Sequence, residues 1–134
     1  MSLFQTQPEP VAHPGRRRAV IVLIALLVIA AFAWRVFRFY PEKRITTRFL
    51  DTVVAGEFES AYGQWNPAPE YSFNDFMQDW GHDSPWGKIR SYRIADVEGK
   101  TGVVSFIVVV NDVDSQPVEI WVQRKTKALS FAPP

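Results

Sequence analysis

The side chains with the greatest chemical reach lie in one run, Asp79-Trp80-Gly81-His82-Asp83. Asp79 could orient His82 as a general base, with Tyr92 as a hydrogen-bond donor to a bound substrate. The spacing fits no strong catalytic motif. A helix end carrying a solvated His beside the helix dipole accounts for the same residues. A metal held by Asp79, His82 and Asp83 would need a further ligand or water, so no metal is assigned. Asn111, Asp112 and Asp114 form a fragment of a calcium loop without its Gly and terminal Glu, and read better as turn residues. Gly99-Lys100-Thr101 has neither the spacing nor the following helix of a phosphate loop. Ser60, Ser84 and Ser105 all lie outside a Gly-x-Ser-x-Gly setting. With two histidines and no cysteine, nucleophilic catalysis is poorly supplied. No cofactor is implied.

Binding is better provided for. Most of the aromatic residues suit a core, but two are placed for recognition. Trp86 follows Pro85 in a loop, and Trp121 falls on the polar face of an alternating strand. These two are the expected ligand or partner surface.

What positions all of this is an apolar stretch of sixteen residues, Ala19 to Trp34, preceded by Arg16, Arg17 and Arg18. Sixteen residues make about 24 Å of helix at 1.5 Å per residue, and a bilayer core of about 30 Å needs about 20 residues. Val36, Phe37, Phe39 and Tyr40 supply the rest. Arg35 and Arg38 can snorkel to the headgroups, and Trp34, Phe39 and Tyr40 suit an interfacial belt. The expected division is a disordered tail over residues 1–18, a transmembrane signal anchor over 19–40, and a domain over 41–134. A cleavable signal peptide, cut after Ala33, is the alternative. The Arg triplet favours a cytoplasmic N-terminus and a domain outside the cytoplasm. Arg35, Arg38, Lys43, Arg44 and Arg48 on the other flank keep the reverse orientation open, with the domain as a cytoplasmic adaptor.

The formal charge of +1 hides an asymmetry. Residues 1–40 carry five Arg and one acidic residue, whereas residues 41–134 carry ten Lys or Arg against thirteen Asp or Glu. The domain lacks the basic footprint that nucleic acid requires. The absence of cysteine excludes disulfides and Cys-ligated metals.

Along the domain, Pro41 suits a helix start, and Ile45, Phe49, Leu50, Val53 and Val54 recur at helical spacing. This predicts a helix over about 42–55, ended by Gly56. A second carries Phe58, Ala61, Tyr62 and Trp65 before Asn66-Pro67-Ala68-Pro69, and a brief extended piece is possible at Glu70 and Tyr71. Ser72 caps a third, with Asp75 completing an imperfect capping box. Strands follow over 88–97, 103–110, 118–124 and 128–131. The second is apolar on both faces, as in the middle of a sheet. Three helices before an antiparallel meander of three to four strands read as an α+β domain, with the helices packed on one face of a curled sheet.

The run Arg48-Phe-Leu-Asp-Thr-Val-Val-Ala-Gly-Glu-Phe-Glu-Ser-Ala-Tyr62 resembles the opening of nuclear-transport-factor-2-like (NTF2-like, SnoaL-like) domains. The resemblance covers about residues 42–131, in pattern more than identity. It implies a cone-shaped fold with a pocket between sheet and helices, shortened here so that the pocket is shallow or filled. Similar domains occur behind a single membrane helix in bacterial proteins. The expected function is a membrane-anchored, non-enzymatic domain outside the cytoplasm, held at a bacterial inner membrane, that meets an envelope protein, a small apolar ligand or a second copy through its sheet. An enzyme using Asp79, His82 and Tyr92 is the alternative.

Overall fold

The computed structural model describes residues 14–65 and 68–133. The chain divides into two units, one ending at Arg38 and one beginning at Phe39.

Among the described residues, the first unit holds helix α1, Pro14–Phe37, 24 residues with none buried. At about 1.5 Å per residue it is about 36 Å long, and it is long and apolar enough to cross a membrane. Of the expected tail, residues 1–13 lie outside the described residues. Pro14 to Arg18 are helical instead. Proline at a first helical position loses nothing by its missing N–H, and arginine is a good helix former. The helix therefore reaches back through the Arg triplet.

In the second unit, α2 spans Tyr40–Val54, α3 Phe58–Trp65 and α4 Phe73–Trp80. Their ends follow local chemistry. Gly56 N–H donates to Val53 O at 3.0 Å and Glu57 N–H to Thr52 O at 3.1 Å, with Gly56 at φ 78°. That paired closure needs a left-handed residue, which glycine adopts freely. Ser72 and Asp75 form a reciprocal capping box, Asp75 N–H donating to Ser72 Oγ at 3.1 Å and Ser72 N–H to Asp75 Oδ2 at 3.0 Å. Glu70 and Tyr71, a possible extended piece in the sequence, lie in and after a turn.

The strands are β1 Tyr92–Lys100, β2 Val103–Val110, β3 Val118–Gln123 and β4 Leu129–Phe131. They form one antiparallel sheet in the order β1-β2-β3-β4. A register shift between Ile94 and Asp96 lets Tyr92 and Ile94, then Val97 and Gly99, share one face. Val104, Phe106, Val108, Val110, Ile120, Val122 and Leu129 continue that face into the core. On the other face, Val103, Ser105 and Val109 are also buried, which agrees with the nearly unbroken apolar run of β2.

The first strand differs from expectation at both ends. Residues 88–91 spend their backbone on the side chain of Asn111. Its Oδ1 accepts from Arg90 N–H at 2.7 Å and Ser91 N–H at 3.2 Å, and its Nδ2 donates to Lys88 O at 2.9 Å and Trp86 O at 3.3 Å. At the other end, a tight turn at Thr101-Gly102 lets β1 run on to Lys100.

Between helices and sheet sits a cluster of rings. Phe49 meets Trp65 at 4.9 Å, Trp80 at 5.0 Å and Phe76 at 6.2 Å. Phe131 of β4 stacks on Trp80 at 5.4 Å and meets Trp65 at 4.9 Å. The space where the resemblance implies a pocket is occupied by side chains.

Two substitutions test this reading. Phe49→Ala should cost about 3–5 kcal/mol, and Gly56→Ala about 1–2 kcal/mol through the left-handed backbone. Urea unfolding of the detergent-solubilised chain, followed by near-ultraviolet circular dichroism, measures both. A Gly56→Ala variant as stable as the parent would contradict the helix-end assignment.

Candidate functional site

The three candidate catalytic residues have separate surroundings. Asp79 Oδ2 accepts from Tyr71 OH at 2.5 Å, and Tyr62 OH donates to Tyr71 O at 2.6 Å. Tyr92 OH donates to Asp51 Oδ1 at 2.6 Å, across to α2. Burial, then the bonded carboxylate, pushes both the Tyr71 and Tyr92 hydroxyls up, so they stay protonated donors. His82 is exposed, with its ring edge-to-face on Phe58 at 5.5 Å. No hydrogen bond or ion pair joins Asp79, His82 and Tyr92, so the acid–base arrangement considered in the sequence is not assembled here. Among the described residues no cluster of three His, Asp or Glu could hold a metal ion.

The two tryptophans expected at the surface are each half-buried. Trp86 stacks on Trp80 at 5.9 Å, and its Nε1–H donates to Gln116 O at 3.1 Å. With Lys88, Arg90, Ser91 and Asn111 it lines a small cleft of about 400 Å³. Trp121 belongs to a network on the outer face of the sheet. Glu119 Oε1 accepts from Ser105 Oγ at 2.5 Å, Trp121 Nε1–H at 2.8 Å and Lys100 Nζ at 3.0 Å. The Lys100 ammonium also lies 5.1 Å from the centre of the Trp121 ring. Polar alternation in β3 reflects this network, which fastens β1, β2 and β3 together.

Arg16, Arg17, Arg18, Trp34 and Arg35 are exposed on α1, and Arg38 follows it. Phe39, assigned to the lipid interface from sequence, instead belongs to the second unit. Its ring packs against the core, lies 5.3 Å from the Arg124 guanidinium, and occupies the space a side chain at Gly99 would need.

The face formed by α3 and α4 was not singled out by sequence. A cleft of about 550 Å³ is lined by Gly56, Glu57, Phe58, Glu59, Ser60, Phe73 and Met77. Phe73 is 39 % exposed, a large apolar ring left open at the mouth. Residues 49–87 hold seven Asp or Glu and no Lys or Arg. Asp51 and Asp79 are engaged by tyrosines and Asp75 by its cap. The side chains of Glu57, Glu59, Glu70 and Asp83 make no hydrogen bond or ion pair among the described residues. The signal available in the sequence was this 39-residue gap between Arg48 and Lys88. Phe58, Phe73 and Met77 were hidden because they sit at helical spacing with true core residues.

No family model, curated protein or solved structure matches the chain.

The Glu119 network has a pH signature. Hydrogen bonds from Ser105, Trp121 and Lys100 hold its carboxyl well below its ordinary 4.5, at about 2. A carboxyl depressed in the folded state stabilises the fold above its unfolded value, and that contribution is lost as pH falls through 4.5 towards about 2. Urea midpoints measured across this window should fall more steeply for the parent than for Glu119→Gln. Parallel slopes would show that the network does not act through the Glu119 charge.

Proposed function

We propose that this chain is a single-pass, membrane-anchored interaction domain that works outside the cytoplasm, and that its partner surface is the acidic, aromatic α3–α4 face. The observation that carries the reading is the cleft of Phe58, Phe73 and Met77 set in a 39-residue stretch without one cation. An apolar floor with an unpaired acidic rim suits a protein segment that presents apolar side chains beside Lys or Arg. Charge of one sign steers such a partner and excludes acidic ones.

The membrane part of the proposal rests on α1 and the Arg triplet before it. A bacterial inner membrane, with the N-terminus inside, is the setting we favour. The order of three helices and an antiparallel sheet, with the helices on one face, supports a shortened nuclear-transport-factor-2-like fold. The ring cluster of Phe49, Trp65, Trp80 and Phe131 occupies the interior, which moves binding to the outside and favours a non-enzymatic role.

Site-specific photo-crosslinking tests the surface. A benzoylphenylalanine placed at Phe73, in the full chain in cells that make it, should give a discrete adduct. Glu57→Lys with Glu59→Lys should abolish that adduct while membrane content stays unchanged. An equally strong adduct after charge reversal would contradict the acidic-rim reading, as would a Phe73 probe that yields none.

A further inference from the structure

Basic residues of the second unit gather at one end. Glu42, in the first turn of α2, is 5 % exposed, and its Oε1 accepts from Lys127 Nζ at 2.8 Å. This bond ties the start of α2 to the β3–β4 turn. Arg124 N–H donates to Gly102 O at 3.0 Å, which ties the same turn to the β1–β2 turn, and its guanidinium covers Phe39. Burial works against the charge of Glu42, but the Lys127 bond and the nearby Arg124 hold its carboxyl below the ordinary range. The principal carboxylate of this end is thus turned inward and neutralised. Lys43, Arg44 and Lys125 are exposed around it, and Arg124 and Lys127 are half-exposed. Glu98, two residues before Lys100, is an exposed carboxylate on β1.

These five cations are half of the ten that residues 41–134 possess. The chain also enters the unit here. Phe39 comes two residues after α1 ends at Phe37. Two residues span at most about 7 Å. Covalent geometry alone, whatever angle the two units take, keeps this end within reach of the headgroups if α1 crosses the bilayer.

We infer that the end carrying Lys43, Arg44, Arg124, Lys125 and Lys127 is a docking surface for anionic lipid headgroups of the membrane that holds α1. The inference rests on the membrane reading of α1 and adds a second, electrostatic contact made by the folded unit itself. Clustered Lys and Arg beside a membrane helix are attracted by anionic headgroups in the leaflet they face, and the attraction fades within a Debye length. The carboxylate-rich α3–α4 segment is repelled by the same surface. The charge separation therefore selects an orientation, basic end down and acidic face away from lipid.

The chain has no cysteine, so one introduced thiol reports one place. Full-length Thr126→Cys carries a fluorophore in vesicles of phosphatidylcholine alone, or of equal phosphatidylcholine and phosphatidylglycerol. A headgroup-nitroxide lipid serves as quencher. Quenching should be severalfold stronger with phosphatidylglycerol. It should fall to the phosphatidylcholine level in high salt and in Lys43→Glu/Arg44→Glu/Lys125→Glu. A Ser115→Cys probe, on the turn at the other end of the sheet, should not respond. Equal Thr126 quenching in both lipids overturns the docking surface, as does insensitivity to charge reversal in a variant that keeps its near-ultraviolet dichroism. Flotation in alkaline carbonate separates the two readings. A chain that fails to float overturns the anchor and the docking surface with it, whereas one that floats but shows equal Thr126 quenching in both lipids overturns the docking surface alone.

Discussion

Everything in the folded unit depends on the rings that join three helices to the sheet. Phe49 of α2 touches Trp65 of α3 and both Phe76 and Trp80 of α4. Phe131 of β4 closes the group against Trp65 and Trp80. Helices α3 and α4 have eight residues each, too short to be stable alone. Their order is borrowed from this burial, helped by the left-handed close at Gly56 and the box at Ser72. Tryptophan and phenylalanine thus fill the space between helices and sheet.

Charge is distributed over the outer faces of the unit with a clear polarity. The helical stretch 49–87 is acidic without interruption, while five of the ten cations gather where the chain enters the unit. The basic end is braced by Lys127 and Glu42, and on the outer face of the sheet Glu119 gathers Ser105, Trp121 and Lys100. Our functional proposals read this polarity as an arrangement for a domain held close to lipid, with one face towards the bilayer and another towards a partner.

Much of the architecture was legible from periodicity. The helical spacing of Ile45, Phe49, Leu50 and Val53, the Ser72 cap and the two-sided apolar run of β2 each have a local cause, and each stands where expected. What misled depended on distant partners. Lys88 to Ser91 read as strand, yet Asn111, twenty residues on, takes their backbone bonds. Phe39 read as lipid-facing until Gly99 and Arg124 gave it a seat in the fold. Pro14 to Arg18 read as tail because charge and proline suggest disorder, although both are compatible with a helix start. At the candidate site, polarity draws attention to Asp79, His82 and Tyr92, yet the hydrogen bonds of Asp79 and Tyr92 serve separate parts of the fold and His82 only meets the ring of Phe58. The acidic face was visible only as an absence of cations, and no spacing motif records an absence.

The central claim is an anchored domain whose acidic face is open outside the cytoplasm. It is tested most directly with Asn74→Cys, an exposed position on α4 and the sole thiol in the chain. Intact bacterial spheroplasts producing the full-length protein are treated with a membrane-impermeant maleimide, and carbonate-washed membranes are then probed. The account expects full-length, membrane-retained protein to be labelled before lysis, to the same extent as after it. Labelling only after lysis would contradict it and place the domain on the cytoplasmic side.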